Sequence, residues 1–363
     1  MEREKYEMVE NYDDNRIMTA MSGGVDSSAA AFLLKEQGCS VGGMTMRLLE
    51  GGLNDGDIGD AAEVAAALGI PFFVADLREA FQEAVIEDFI SSYMAGITPN
   101  PCVVCNRRIK FSAFMEAAEE YGYRRMATGH YAQIVYDAGS GRWLLKKARD
   151  PGKDQSYMLY GLSQEQLSRS LFPLGDMTKG EVRALAEARG ITTAHKRESQ
   201  DICFVPDGDY AGFIERATGR PFERGDFVDA DGNVLGEHLG LARYTVGQRR
   251  GLRISAGKPI FVYEKDAEKN LVRVGDESLL FRKTMEIRNI NLIACRQLKG
   301  KVRADVKIRY GHGASPAVAE QIGEDAIRVE FLNEQRAITR GQSAVLYDGE
   351  FVKVHPTLPA KNR

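Results

Sequence analysis

The chain has 363 residues, 44% of them hydrophobic, and a formal net charge of −4. That length predicts two or three domains, and no apolar run approaches the ~20 residues of a bilayer span, which excludes a membrane-spanning helix. Five cysteines in so long a chain exclude a disulfide-stapled scaffold.

Met1–Asp14 holds six acidic and two basic side chains, which equals the whole net charge and leaves the remainder neutral. This stretch, 1–14, is expected to be a disordered tail. It has no apolar signal region, so a cytoplasmic protein with reduced thiols is expected.

From Arg16 to about Val205, strand and helix patterns alternate. Ile17–Met21, Val41–Arg47, Pro71–Ala75 and Arg125–Thr128 read as strands. Ser27–Gln37, Ile58–Leu68, Arg78–Tyr93, Phe111–Tyr121 and Thr178–Gly190 read as helices, the last with Thr178 and Glu181 in capping-box spacing. This order predicts an α/β fold, a Rossmann-like domain with a parallel sheet over 15–207. Ligands in such sheets bind beyond the carboxyl ends of the strands. Around Pro206-Asp207-Gly208 glycines and turns take over, and 208–282 reads as a small central domain. Short alternating strands at Val302–Ile308, Ala326–Phe331 and Ala344–Tyr347 then predict a C-terminal β-barrel over 283–363.

Ser22-Gly23-Gly24-Val25-Asp26-Ser27-Ser28 sits between the first strand and the first helix. Such a loop offers backbone N–H groups and hydroxyls to an anion at a helix N-terminus, and its glycines let the backbone approach a phosphate. It lacks a Gly-Lys-Ser/Thr ending, so it is not the usual triphosphatase loop. It matches the PP-loop of ATP pyrophosphatases, which cleave ATP between the α and β phosphates and adenylylate an oxygen.

Thr98-Pro99-Asn100-Pro101-Cys102-Val103-Val104-Cys105-Asn106 carries a Cys-x-x-Cys pair, and its two prolines predict an extended, non-helical segment. A third cysteine, Cys203, follows Ser199-Gln200-Asp201-Ile202. The spacing leaves four readings open. They are a redox pair, a zinc site with His130 or His195 as further ligand, three thiolates holding an iron–sulfur cluster with one iron open, and unconnected thiols. Cys39 and Cys295 read as small buried hydrophobes, and His130 reads as structural. Arg296–Arg309 holds six basic residues against Asp305, and Lys146-Lys147-Arg149-Lys153, Lys196-Arg197 and Arg249-Arg250-Arg253 add further clusters. Beside an adenylylating loop, these point to an RNA substrate.

Taken together, the motifs resemble those of the tRNA-specific 2-thiouridylases. The resemblance rests on Ala20–Ser28, Thr98–Asn106, Ala127-Thr128-Gly129-His130-Tyr131-Ala132, Lys153-Asp154-Gln155-Ser156-Tyr157, Leu171–Gly175, Ser199–Phe204, Gly236-Glu237-His238, Thr245–Leu252, Lys307-Ile308-Arg309-Tyr310 and Gln335–Ala344. It implies sulfur transfer to C2 of the wobble uridine, with ATP and Mg²⁺ as cofactors and Asp26 or another carboxylate on the metal. It assigns ATP contacts to Ala20, Met21, Ser22, Gly23, Gly24, Val25, Asp26, Ser27, Met46 and Gly129, and the target base to Asn100, Pro101 and Cys102. Cys105 and Cys203 would be the catalytic cysteines, and Lys153, Asp154, Gln155, Arg309 and Tyr310 would contact tRNA. The implied partners are tRNAs for Lys, Glu and Gln and a sulfur donor such as a cysteine desulfurase relay. Many family members have aspartate where this chain has Cys102. Cys102, Cys105 and Cys203 match instead the ligand set of related thiolases with a [4Fe–4S] cluster, which competes with a persulfide on Cys203 and a Cys105–Cys203 disulfide. The stretch Phe351–Arg363 lacks the family's glycine-rich finish, and the effect is expected at the barrel edge. Two other readings are an amide-forming PP-loop ligase, which needs no cysteine set, and a non-catalytic tRNA-binding relative.

Overall fold

The computed structural model describes residues 15–50, 55–191, 202–255 and 257–357. The tail 1–14, His195, Lys196-Arg197, the 199–201 part of the third-cysteine motif and residues 358–363 lie outside the described residues.

Strands β1 (Arg16–Ala20), β2 (Ser40–Arg47), β3 (Phe72–Asp76) and β4 (Arg125–Ala127) alternate with helices, as the sequence predicts. A hairpin, β5 (Gln133–Asp137) and β6 (Arg142–Lys146), precedes the short β7 (Ser170–Leu171). The sheet order is β3-β2-β1-β4-β7, parallel throughout. Four of the five β1 residues are buried, as expected of a strand covered on both faces. The order reverses direction at β1, so the crevice between the ends of β1 and β4 is the topological switch point where such sheets bind ligands.

Helix α1 (Val25–Glu36) explains its own composition. Ala31 and Leu34 pack on the sheet with Ile17, Val41 and Ala127. Ala29 and Ala30 pack against Tyr131 and Leu174 of two loops and against Val182 of the helix Lys179–Ala188. A helix covered on two sides is apolar nearly all round, and alanines keep both neighbours close.

One expectation fails. The Thr98–Asn106 segment is not extended throughout, because Pro101–Cys105 is an α-helix continued by a π-helix over Asn106–Ala113 and an α-helix over Phe114–Glu120. Pro101 stands at the first helical turn, where its missing N–H costs nothing and its fixed φ suits the helix. Its effect falls backwards on Asn100, held near φ −120 and ψ 86. The proline therefore starts the helix.

The central sheet runs β10-β11-β8-β9, from β8 (Gly225–Val228), β9 (Val234–His238), β10 (Phe261–Asp266) and β11 (Leu271–Gly275). The C-terminal strands are β12 (Phe281–Asn291), β13 (Lys301–Lys307), β14 (Ser315–Gly323), β15 (Ala326–Arg336), β16 (Val345–Asp348) and β17 (Phe351–Thr357). They run in the order β12-β15-β14-β13-β16-β17, and β17 pairs back with β12. Closure makes a barrel and removes its edges. The 351–357 segment is thus the closing strand and not an edge. β17 also pairs with β6 through Phe351 and Lys146, so the N-terminal hairpin extends the barrel's sheet. No helix among the described residues is long and apolar enough to cross a membrane.

Candidate active site

The loop after β1 lies at the switch point. Met21 N–H donates to the Met44 carbonyl at 2.9 Å, and Thr45 Oγ1 donates to the Met21 carbonyl at 2.6 Å, so β2 fixes where the loop leaves the sheet. Gly23 has φ +65, and a Cβ there would stand 2.5 Å from the Asp57 carbonyl oxygen. Ser22 N–H donates to Ser27 Oγ at 3.1 Å, and Ser27 Oγ donates to the Gly24 carbonyl at 3.1 Å. The serines shape the turn. Gly24 at the N-cap contributes no side-chain cap, leaving the first turn of α1 with backbone donors and a dipole facing the crevice. This is the geometry of a phosphate cradle.

The β4 loop closes the other wall. Gly129 packs on the first turn of α1, where a Cβ would stand 2.7 Å from Asp26 C and 2.8 Å from Ser27 N. Asp26 is not open. Its Oδ1 and Oδ2 accept from Lys179 Nζ at 2.7 and 2.8 Å, and Oδ1 accepts from Tyr131 Oη at 2.8 Å. Lys179 is buried at the start of the helix Lys179–Ala188, whose Thr178–Glu181 capping box is formed as predicted. Magnesium bound to a nucleotide takes one or two carboxylates with phosphate oxygens and water. Asp26 is the carboxylate at the loop and would have to share with Lys179. Sequence reasoning missed Lys179, because nothing local marks a contact spanning 153 residues. Met46 lies near the end of β2, half-buried against the cores that hold Phe111 and Cys105.

The cysteines form a second centre. Cys105 is buried, while Cys102 and Cys203 are exposed. Burial pushes the Cys105 thiol up to about 12, against the field of Lys110 and with the Cys203 and Cys102 charges adding to the rise. Cys203 is raised by desolvation, and then by Cys102, with Lys110 again opposing. The three thiols therefore share one locale, and all five cysteines are thiols. Among the described residues no three His, Cys, Asp or Glu side chains converge to hold a metal ion, so neither the cluster nor zinc with His130 finds a formed ligand set there, while zinc with His195 falls outside the described residues. His130 Nδ1 is 2.7 Å from Thr128 Oγ1, and its ring lies 5.9 Å from those of Phe111 and Phe172. Burial and Lys110 push its pKa well below 6.5, so it stays neutral and braces the loop. Cys39 and Cys295 are only half-buried, packed at the margins of two cores.

The residues expected at tRNA are differently disposed. Asp154 accepts from Ala148 N at 3.0 Å and from Ser156 Oγ at 2.9 Å. Gln155 exchanges bonds with Tyr131 in both directions, at 2.9 and 2.8 Å. Both are internal struts, so their side chains stabilise the site from behind. Tyr310 is 43% exposed, with Lys307 Nζ 5.3 Å from its ring centre. Burial raises the Tyr310 hydroxyl, followed by the Asp154 charge, and Cys102 adds a smaller push, so the barrel surface reaches the cysteine centre.

Three family models match in succession. A tRNA methyl transferase HUP domain matches residues 15–207, a tRNA methyl transferase PRC-barrel domain 212–276, and an aminomethyltransferase beta-barrel domain 282–352. The chain is 46% identical over 348 residues to the tRNA-specific 2-thiouridylase MnmA of Clostridioides difficile, covering 93% of this chain and 96% of that one. It is 47% identical over 350 residues to MnmA 1 of Caldanaerobacter subterraneus subsp. tengcongensis, with the same coverage of 93% and 96%. Among solved structures, the U34-tRNA thiolase NcsA from Methanococcus maripaludis with its [4Fe-4S] cluster matches at 18% identity and a TM-score of 0.36, covering 59% of this chain and 71% of that one.

Proposed function

The chain belongs to the tRNA-specific 2-thiouridylase family, and from that premise we propose how its residues divide the work of thiolating C2 of the wobble uridine in tRNA. It is an ATP-using tRNA-uridine 2-sulfurtransferase. Neither an amide-forming ligase nor a non-catalytic relative is favoured by relatives of this identity over this length.

The observation that carries the assignment is the uncapped first turn of α1 at the switch point. It would hold the ATP phosphates, with Ala20–Ser27, Met46 and Gly129 around the nucleotide, and Mg²⁺ on the polyphosphate would neutralise departing pyrophosphate. The uridine leaves its stack to reach Asn100–Cys102. Its C2 oxygen attacks the α-phosphorus, N3 gives up its proton, and pyrophosphate departs.

A persulfide sulfur on Cys203 then attacks C2, and AMP leaves. Cys105, whose thiol proton is handed to N3 in the same step, attacks Cys203 Sγ and breaks the sulfur–sulfur bond. That electron pair forms the C2–S double bond, N3 regains a proton, and a Cys105–Cys203 disulfide remains for an external dithiol to reduce. We favour this route over a [4Fe–4S] cluster because the thiols differ in exposure: Cys203 is open to a protein donor while Cys105 is buried. Residues 15–207 are read as the catalytic domain, 208–282 as the central domain and 283–363 as the RNA-facing barrel. Lys153, Arg309 and Tyr310 are the proposed tRNA contacts, with Lys307 beside Tyr310 a further one. The proposed setting is the cytoplasm, with a cysteine desulfurase relay as donor and tRNAs for Lys, Glu and Gln as substrates.

The test is nucleoside mass spectrometry after incubation with ATP, a persulfide donor and unmodified tRNA, aerobically and anaerobically, with iron and acid-labile sulfide measured. Thiolation without iron is expected. No 2-thiouridine under either condition would contradict the function, and activity only with reconstituted iron would contradict the persulfide route.

A further inference from the structure

The central domain carries three arginines that no carboxylate answers. Arg249, Arg250 and Arg253 are exposed, and among the described residues their guanidiniums have no ion pair or hydrogen bond. Other arginines of the same domain are matched: Arg224 by Glu237, Arg243 by Glu215 and Arg273 by Glu264. Three like charges so close in the chain repel one another, and an anionic partner relieves that repulsion.

The loop that bears them is held in shape. Gly247 N–H donates to the Val262 carbonyl at 2.7 Å, and Val262 N–H donates to the Gln248 carbonyl at 2.9 Å, which pins the start of the loop to β10. Gln248 then staples it, its Oε1 accepting from Thr245 N–H and its Nε2 donating to the Arg250 carbonyl, both at 3.0 Å. Leu252 anchors the far end in the domain's core. Arginines on a fixed loop lose less entropy on binding than arginines on a mobile one.

The loop also abuts the barrel. A Cβ on Gly247 would stand 3.3 Å from Ala337 Cβ and 3.5 Å from Arg336 Nη1. Arg309 Nη2 donates to the Ala337 carbonyl. His312 is pushed below 6.5 by burial and then by Arg309 and Arg336, so these cations share one neighbourhood, with Arg336 partly neutralised by Glu277 at 3.0 Å. Beyond Ala337, the Arg340 carbonyl accepts from Thr98 N–H at 3.2 Å. The chain from Ala337 to Arg340 spans at most ~11 Å, so the arginine loop starts within roughly 20 Å of the segment that would present the target base. A few nucleotides of RNA backbone cross that distance.

We propose that the central-domain loop 247–253 is a second RNA-binding surface, its three arginines holding tRNA backbone phosphates that flank the target nucleotide. It continues the face of Lys307, Arg309 and Tyr310 across the border between barrel and central domain. The proposal rests on the thiolation reading for the identity of the RNA. Phosphates held in this way place the RNA without reading its sequence.

The test compares the wild type with two triple variants, Arg249→Gln with Arg250→Gln and Arg253→Gln, and Arg249→Lys with Arg250→Lys and Arg253→Lys. Binding of unmodified tRNA is followed by fluorescence anisotropy across a series of salt concentrations. Losing three phosphate contacts lowers the slope of log affinity against log salt by about 2 to 3. The Gln variant should therefore bind about a hundredfold more weakly near 0.1 M salt, with the gap closing toward 1 M. The Lys variant should keep the wild-type slope, because an ammonium also binds phosphate as a point charge. ATP affinity and the thermal transition of the Gln variant should match the wild type, which shows that it folds. A Gln variant with the wild-type salt slope would overturn the proposal. So would that slope joined to slower loading of Cys203 by a persulfide-bearing donor protein, which would give the loop to an acidic protein partner instead. If the wild type makes no 2-thiouridine while the slope still falls in the Gln variant, the RNA surface stands and the functional reading fails.

Discussion

Replacing Asp26 with Asn tests whether the Asp26–Lys179 pair holds the switch point together. The side chains are 28% and 9% exposed, with Nζ–O distances of 2.7 and 2.8 Å. Removing one partner of a fully buried pair costs ~3–5 kcal/mol, because the other charge stays behind without compensation. Asp26 keeps some water, so a cost of about 2 kcal/mol is expected here. Asn is nearly isosteric, but its amide meets the ammonium and the Tyr131 hydroxyl with one acceptor in place of two. For a domain of this size, 2 kcal/mol lowers the thermal transition by roughly 4–8 °C. The Asp26→Asn, Lys179→Met double variant should recover part of the loss, since it removes the stranded cation, and the cycle should show a coupling of about 1 kcal/mol or more. Differential scanning calorimetry of the four proteins measures this. A transition for Asp26→Asn within 1 °C of wild type, the scale of a neutral surface change, would refute the idea that this pair ties the helix Lys179–Ala188 to α1.

Lys265 is 8% exposed, and its Nζ finds no hydrogen-bond partner, so burial lowers its pKa from 10.5 to about 8. Between these values the unfolded chain binds the extra proton, so stability rises with pH; below pH 8 the cost of burying the charge is fully present. Lys265→Met should therefore stabilise the protein at pH 7 by about 2 to 3 kcal/mol, and the gain should fade above pH 10.5 in thermal melts. For Cys105 the sign is opposite. With its thiol raised from 9.0 to about 12, the folded state keeps a proton that the unfolded chain loses, so its contribution to stability falls across that window. Iodoacetamide mapped by peptide mass spectrometry should modify Cys203 at pH 8 and leave Cys105 intact until the pH approaches 12; equal labelling at pH 8 would contradict the buried thiol. Gly129→Ala would place a Cβ 2.7 Å from Asp26 C, backbone that has nowhere to go. Overpacking of ~1–3 kcal/mol should weaken ATP binding about tenfold by calorimetry with tRNA binding unaffected, and unchanged ATP affinity would refute the close-approach role.

What the sequence revealed was what local chemistry encodes. The Ser22–Ser28 loop, the Thr178–Glu181 capping box and the strand before Gly129 each carry their signal within a few residues, and each forms as read. Pro101 misled because proline is read as a breaker, whereas at the first helical position it is a starter. The hairpin β5–β6 lies within the N-terminal stretch, and nothing in its own residues announces that Lys146 pairs with Phe351. Lys179 and Gln342 escaped notice for the same reason, since their partners lie 153 and 244 residues away in the chain.

On the proposed division of work, those long-range contacts give a reason for a barrel beside a phosphate cradle built within residues 15–207. On that proposal adenylylation would draw on α1, the Gly129 loop and a nucleotide, a set that does not distinguish one oxygen nucleophile from another. Selection then comes from where the base would be presented, at Asn100–Cys102; just before it, the Thr98 and Pro99 carbonyls are held by Gln342 and the Thr98 amide by the Arg340 carbonyl. The barrel in turn is fixed to the catalytic domain by the β6–β17 pairing and by Tyr157 and Tyr160 on Ser343. A barrel displaced by 1 Å would displace the base segment with it, and a reacting geometry misplaced by that much loses on the order of a hundredfold in rate. On the proposed reading, RNA bound on the barrel would therefore be sensed at the Asn100–Cys102 segment as a position and not only as an affinity.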